Sequence, residues 1–175
     1  MQTIPKDQIE SQLGKGSFWL PVRLLGAEYL YGIPEFDAAR EAKPSKVYAP
    51  LTITMLPNGL EIQILHQFKS YKVGLAFSDI KRIELEIPED IVTKQDRSVI
   101  GRAVIGGLLL GPVGALVGGM SGLKEGTKTE SGDALLTIQV EQTGQESFFV
   151  ATVPKNKRSS IQEFVQKHLA QFTNN

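Results

Sequence analysis

The sequence predicts a mainly β domain: a barrel or sandwich of six to seven antiparallel strands, a C-terminal amphipathic helix, and a glycine-rich helical hairpin inserted between two strands. Three observations carry that expectation. Apolar and polar residues alternate with period two over 47–87 and again over 134–153, as in strands that bury one face. Ile161, Phe164, Val165, Leu169 and Phe172 then recur with helical spacing. Between the two β stretches, eight of the seventeen glycines of this 175-residue chain fall within 101–122.

Residues 1–26 carry scattered apolar side chains without a sustained period and are expected to form an N-terminal extension to a domain over 27–172. Ala27 to Tyr31 is a short strand stopped by Gly32-Ile33-Pro34, and the charged stretch Pro34 to Lys46 is expected to be a surface connection. Leu51, Ile53 and Met55 alternate with Thr52 and Thr54. The turn Leu56-Pro57-Asn58-Gly59 follows, and Leu60, Ile62 and Ile64 resume the pattern, which makes 47–66 a β-hairpin. Tyr71 to Phe77 and Lys81 to Ile87 continue the meander, the first with Tyr71, Val73, Leu75 and Phe77 on one face. After the glycine-rich segment, Ala134 to Glu141 and Ser147 to Val153 form a second hairpin about Gln142 to Gln145. Ser160-Ile161-Gln162-Glu163 has capping-box spacing before the final helix.

Nineteen Lys+Arg balance nineteen Asp+Glu, so the chain lacks the net positive charge that nucleic-acid binding usually leaves, and no such partner is expected. Without cysteine, and with two histidines far apart, no metal site, cofactor or thiol chemistry is expected. The N-terminus reads as no secretory signal, so a cytoplasmic protein, peripheral at most at the inner face of the membrane, is expected.

The succession Leu51-Thr52-Ile53-Thr54, Asn58-Gly59-Leu60-Glu61-Ile62 and Phe77-Ser78-Asp79-Ile80-Lys81-Arg82-Ile83-Glu84-Leu85 resembles bacterial proteins with a pleckstrin-homology-like (PH-like) domain. Tyr29 to Pro34 is similar to the first strand of that family, although Ile33 departs from its pattern. The resemblance implies a binding or scaffolding module and no enzyme, with a hydrophobic insertion before the last two strands. It does not extend to phosphoinositide recognition, because the loop Leu56 to Gly59 lacks the basic run that lipid-binding members carry.

From Ala103 through Leu123 there are 21 residues without a charge, long enough for a bilayer core if helical. Seven are glycine and Pro112 sits near the centre, so one straight helix loses roughly 1 kcal/mol per glycine and about 3 kcal/mol for the proline relative to alanine. Ala103-Val104-Ile105-Gly106-Gly107-Leu108 and Ala115-Leu116-Val117-Gly118-Gly119-Met120 align after a shift of twelve, which makes two short helices broken at Gly111-Pro112 the consistent solution within 98–126. Gly107 and Gly111, then Gly114, Gly118 and Gly122, are spaced by four and form a glycine-zipper stripe that another helix can approach closely. Three uses stay open. The hairpin packs on its own domain, it dips into one leaflet with a tip of Leu108, Leu109, Leu110, Gly111, Pro112 and Val113 and with Arg102 and Lys124 at headgroup level, or it joins identical subunits.

Lys155, Lys157 and Arg158 form a weak basic patch before a helix start, read either as a headgroup contact or as a solvated loop. Lys81 and Arg82 are expected to be neutralised by neighbouring carboxylates, His66 and His168 to pack, and Asp79 to serve a turn. Glu84, Glu86, Glu89 and Asp90 read as a solvated strand edge, no catalytic residue is identified, and Phe18, Trp19, Tyr29 and Tyr31 read as core or groove. A protein partner on the sheet is the competing expectation, in which an edge strand accepts a peptide.

Overall fold

The structure, a computed structural model, describes residues 1–17, 21–42, 49–86 and 133–173. Its strands are β1 (Ile4–Pro5), β2 (Arg23–Tyr31), β3 (Pro50–Leu56), β4 (Gly59–His66), β5 (Lys69–Ala76), β6 (Ile80–Glu86), β7 (Ala134–Gln142) and β8 (Gln145–Val153). Its α-helices are α1 (Ile9–Leu13), α2 (Pro34–Ala42) and α3 (Arg158–His168). All eight strands belong to one antiparallel sheet in the order β1-β5-β4-β3-β2-β8-β7-β6. The expected six to seven strands in a barrel or sandwich are thus corrected to eight in one open sheet.

Chain connectivity nevertheless makes that sheet curl. β5 and β6 stand six strand spacings apart in the order, about 29 Å if the sheet were flat. Only the 3₁₀ turn Phe77–Asp79 joins them, and four residues of extended chain reach at most about 14 Å. The sheet must therefore fold over on itself. Gln142, at the end of β7, clasps the corner. Its side-chain Oε1 accepts from the Gln2 backbone N–H at 2.7 Å, while its Nε2 donates to the Gln2 carbonyl at 2.9 Å and to Asp79 Oδ2 at 2.7 Å. Asp79 is a turn residue as expected, and it also secures this closure.

The curled sheet encloses one main core, to which β2 contributes Leu24, Ala27 and Tyr29, β3 and β4 contribute Leu51, Ile53, Leu60, Ile62 and Ile64, and β7 and β8 contribute Leu136, Ile138, Val140, Phe149, Ala151 and Val153. The alternation predicted for the β3–β4 hairpin holds at Leu51, Ile53, Leu60, Ile62 and Ile64, with the turn at Pro57 and Asn58, but Thr54 is buried and Met55 only half-buried. The helix α3 lays Ile161, Phe164, Val165 and the following Leu169 on this core. Burying each such side chain stabilises by about 1.5–3 kcal/mol before entropic cost. Two details of that helix differ from expectation. It starts at Arg158 with Lys157 as its N-cap and no side-chain cap bond, so Ser160 lies inside it, and Phe172 sits in a separate 3₁₀ turn against Phe77.

Three further expectations are corrected. The first strand runs from Arg23, not Ala27, with a bulge between Leu25 and Ala27. Pro34 to Lys46 contains the helix α2, whose Phe36 is fully buried in the main core, where a surface connection was expected. Residues 1–17, to which the sequence assigns no structure, contribute to the sheet and its packing: β1 pairs with β5, and Ile9 and Leu13 of α1 form a second small core with Leu56. That cluster buries the outer face of β5 at Gly74, where a Cβ would come within 2.8 Å of Leu13, so the two-faced pattern read for Tyr71 to Phe77 is lost there.

A polar lock fixes the start of α2. The Tyr29 hydroxyl donates to Asp37 Oδ1 at 2.7 Å and accepts from the Ile33 N–H at 2.7 Å, and the Gly32 N–H donates to Asp37 Oδ2 at 3.0 Å. The Tyr29 ring meets Phe36 edge-on at 4.8 Å, which places Tyr29 in the core. Phe18 and Trp19 lie outside the described residues.

Candidate functional site

The glycine-rich segment connects β6 to β7, and those two strands are direct neighbours. Ile83 faces Ile138, Leu85 faces Leu136, and Glu86 faces Leu135. Facing residues in an antiparallel pair have Cα atoms roughly 4.5–5.5 Å apart, so the chain leaves and re-enters the sheet at one place. A segment crossing a bilayer core of about 30 Å once would separate the strands that flank it, and this pairing excludes that arrangement. Among the described residues, no helix is long and apolar enough to cross a membrane. Gly107, Leu108, Leu109, Leu110, Gly111, Pro112, Val113, Gly114, Gly118 and Gly122, with Arg102 and Lys124, lie outside the described residues.

The re-entry point is tied to the basic residues of the sequence analysis. Asp133 Oδ1 accepts from the Lys155 backbone N–H at 3.0 Å, which anchors the 3₁₀ turn Lys155–Lys157 beside the start of β7. Lys155 and Lys157 are exposed, and Arg158 is half-buried. The base of the insertion therefore carries two solvent-facing ammonium groups within a few residues of the returning chain. Leu135, Thr137 and Gln139 of β7 are buried along with the core-facing Leu136, Ile138 and Val140, so β7 is covered on both faces.

A groove of about 310 Å³ runs between β6 and α3, lined by Ile83, Leu85 and Glu86 on the strand and by Gln162, Val165 and Gln166 on the helix. β6 is the last strand of the sheet order, so the groove lies beside a sheet edge. Lys81 and Arg82 of β6 are neutralised as expected, but Glu84, read as part of a solvated edge, has a side chain only 10% exposed. Lys81 pairs with Glu141 of β7 at 3.1 Å, and Arg82 pairs with Glu84 two residues along the same strand at 2.6 Å. Glu89 and Asp90 lie outside the described residues.

Both histidines pack against aromatic rings. His66 is buried with its ring 5.5 Å from Phe36, and the His168 ring meets Phe164 at 5.3 Å in a tilted contact. Among the described residues, no three His, Cys, Asp or Glu side chains gather to hold a metal.

One feature escaped the sequence reading. The turn between β4 and β5 consists of Gln67 and Phe68, both with positive φ (48° and 63°), and Phe68 is wholly exposed at 105% with Leu65 beside it at 48%. A two-residue hairpin turn with both φ positive strongly prefers Asn-Gly, and each ordinary residue held there costs roughly 1–2 kcal/mol. Thr143-Gly144, the equivalent turn between β7 and β8, does place glycine second. The available signal was an aromatic residue standing between two strands, outside either alternation.

The sequence model of one family, described as a glycine zipper containing PH domain, matches residues 46–152, more than half of the chain. That match spans β3 to β8 and the glycine-rich segment. No curated protein matches the chain.

Proposed function

We propose, because this chain belongs to the family of PH domains containing a glycine zipper, that it is a non-enzymatic binding or scaffolding module whose glycine-rich apolar segment serves membrane association or self-assembly. The observation that carries the reading is the pairing of β6 with β7 at the base of an uncharged 21-residue stretch. The connection 87–132, which contains that stretch, begins and ends at two paired strands, and this supports its presentation from one place on the scaffold. A scaffold of this kind needs no catalytic groups, and the PH-like family is generally non-catalytic.

Two sequence features fit the two variants of this use. Leu108 to Val113 is an apolar tip flanked along the chain by Arg102 and Lys124, and the exposed Lys155 and Lys157 near the base favour anionic headgroups. Gly114, Gly118 and Gly122 form a stripe that permits close helix contact between copies. Point variants separate them. Placing two charges at the tip, Leu109→Lys with Leu110→Lys, is expected to release the protein from membranes by at least tenfold, since each lysine in an apolar bilayer setting costs about 2.5–3.5 kcal/mol. Gly118→Leu is expected to break a self-assembled form, read as a fall in mass by light scattering. If neither variant changes fractionation or mass, the reading is wrong.

A second reading is a protein-binding module whose glycine-rich segment packs on its own domain. The groove between β6 and α3 favours it, because an edge strand beside a groove can accept an extended peptide.

A further inference from the structure

We infer that the β4–β5 turn is a lipid-surface contact, with Phe68 as the inserting side chain and Leu65 and Lys69 as its support. This goes beyond the role proposed for the glycine-rich segment and rests on different residues. Phe68 is fully exposed at the tip of a two-residue turn, and Leu65, near the end of β4, is also exposed, so apolar side chains face solvent at this end of the hairpin. An exposed aromatic tip suits a soft, laterally fluid partner that needs no matching pocket. A protein partner would have to supply that pocket. Ring burial to a few ångströms is the mode by which isolated aromatics enter the interfacial zone of a bilayer.

The charges around the tip select the type of lipid. From Ile62 through Ser78 the chain has no Asp or Glu, while it carries Lys69 and Lys72. Lys72 is held by Glu61 at 3.0 Å, and Lys69, adjacent to Phe68, is exposed. An apolar point beside an exposed ammonium complements a bilayer with anionic headgroups.

Backbone geometry adds an independent argument. Gln67 and Phe68 both occupy the left-handed region, where glycine at position 68 would relieve strain. A phenylalanine there is unfavourable for folding and is fully exposed among the described residues, so their packing does not account for it.

The test uses the full-length protein and vesicles of phosphatidylcholine with about one-third phosphatidylserine, read by co-sedimentation, with melting temperatures measured in parallel. The parent protein is expected to bind, and Phe68→Gly to lower its vesicle partition about tenfold while raising the melting temperature by about 2–4 °C. Phe68→Trp is expected to retain binding and to show an emission shift to shorter wavelength on vesicles beyond that of the parent, whose only tryptophan is Trp19. A chain with residues 103–123 replaced by a Gly/Ser linker, but with Phe68 intact, is expected to keep the Phe68-dependent share of binding. Loss of that share only in the replaced chain would assign lipid contact to the glycine-rich segment and overturn the proposal. Failure of the parent to bind, or equal binding by parent and Phe68→Gly, would overturn it. A Phe68→Gly variant that changes oligomer mass but not vesicle partition would do so too, in favour of a second copy of the chain.

Discussion

Phe36→Ala is expected to destabilise the domain by about 3–5 kcal/mol, a large fraction of the roughly 5–15 kcal/mol that holds a domain of this size together. Phe36 is 0% exposed and is the single large apolar side chain that α2 sends into the sheet. Its ring meets Tyr29 at 4.8 Å, Tyr71 at 5.0 Å and His66 at 5.5 Å, so it joins β2, β4 and β5 around one point. Truncation to alanine leaves a cavity bounded by rigid rings that cannot collapse into it, and α2 loses what docks it. Urea unfolding followed by circular dichroism reads the change. A loss below about 1 kcal/mol would mean that α2 is dispensable to the core, contrary to its placement here.

Gly32→Ala is the second large effect, expected at about 2–5 kcal/mol. Gly32 has φ +119°, and a Cβ there would stand 2.1 Å from the Phe148 carbonyl oxygen and 2.7 Å from the Phe149 Cα. These are backbone atoms of β8, so relief requires parting β2 from β8 just where Tyr31 faces Val150. The same shift pulls the Gly32 N–H from Asp37 and disturbs the lock that starts α2. Thermal unfolding of the variant beside Gly32→Asn reads the change, since φ +119° lies outside the αL region that asparagine tolerates and both side chains meet the same clash. Both substitutions are expected to lower the melting temperature. An unchanged melting temperature in either variant would show that the approach of β8 does not require glycine at this position.

The strands were legible because each half-buried strand writes period two into its own residues. Leu51, Ile53, Leu60, Ile62 and Ile64 alternate in sequence and are buried in the structure. The PH-like assignment followed from their succession and is supported by the family match. What escaped has common physical causes. α2 buries one large side chain in nine residues, too few for a periodic signal, and its stability comes from tertiary packing of Phe36 and the Tyr29–Asp37 lock. Ile4, Ile9 and Leu13 belong to a cluster completed by Leu56 and Ala76, far along the chain, so their local spacing reveals nothing. The clasp at the closed corner, where the Gln142 side chain bonds the Gln2 backbone, joins residues far apart in the chain, so no local pattern announces it. Phe68 was invisible for the opposite reason: it breaks a local preference without any packing among the described residues to justify it.

For the candidate site, the sequence supplied the composition and the structure supplied the base. The apolar run, its glycine spacing and its flanking charges are read directly from 98–126. The direct pairing of Glu86 with Leu135, and the bond from Asp133 to the Lys155 backbone, required the fold. Together they place the exit and the return of the connection 87–132 at one point of the sheet.

The most direct test of that account replaces residues 103–123 with a short Gly/Ser linker and compares the two full chains by membrane fractionation and by chromatography with light scattering. The account predicts that the intact protein pellets with membranes or runs as a defined oligomer, whereas the replaced chain loses the membrane share carried by the segment, or its oligomeric mass, with its melting temperature nearly unchanged. Identical fractionation and identical mass for the two chains would contradict it.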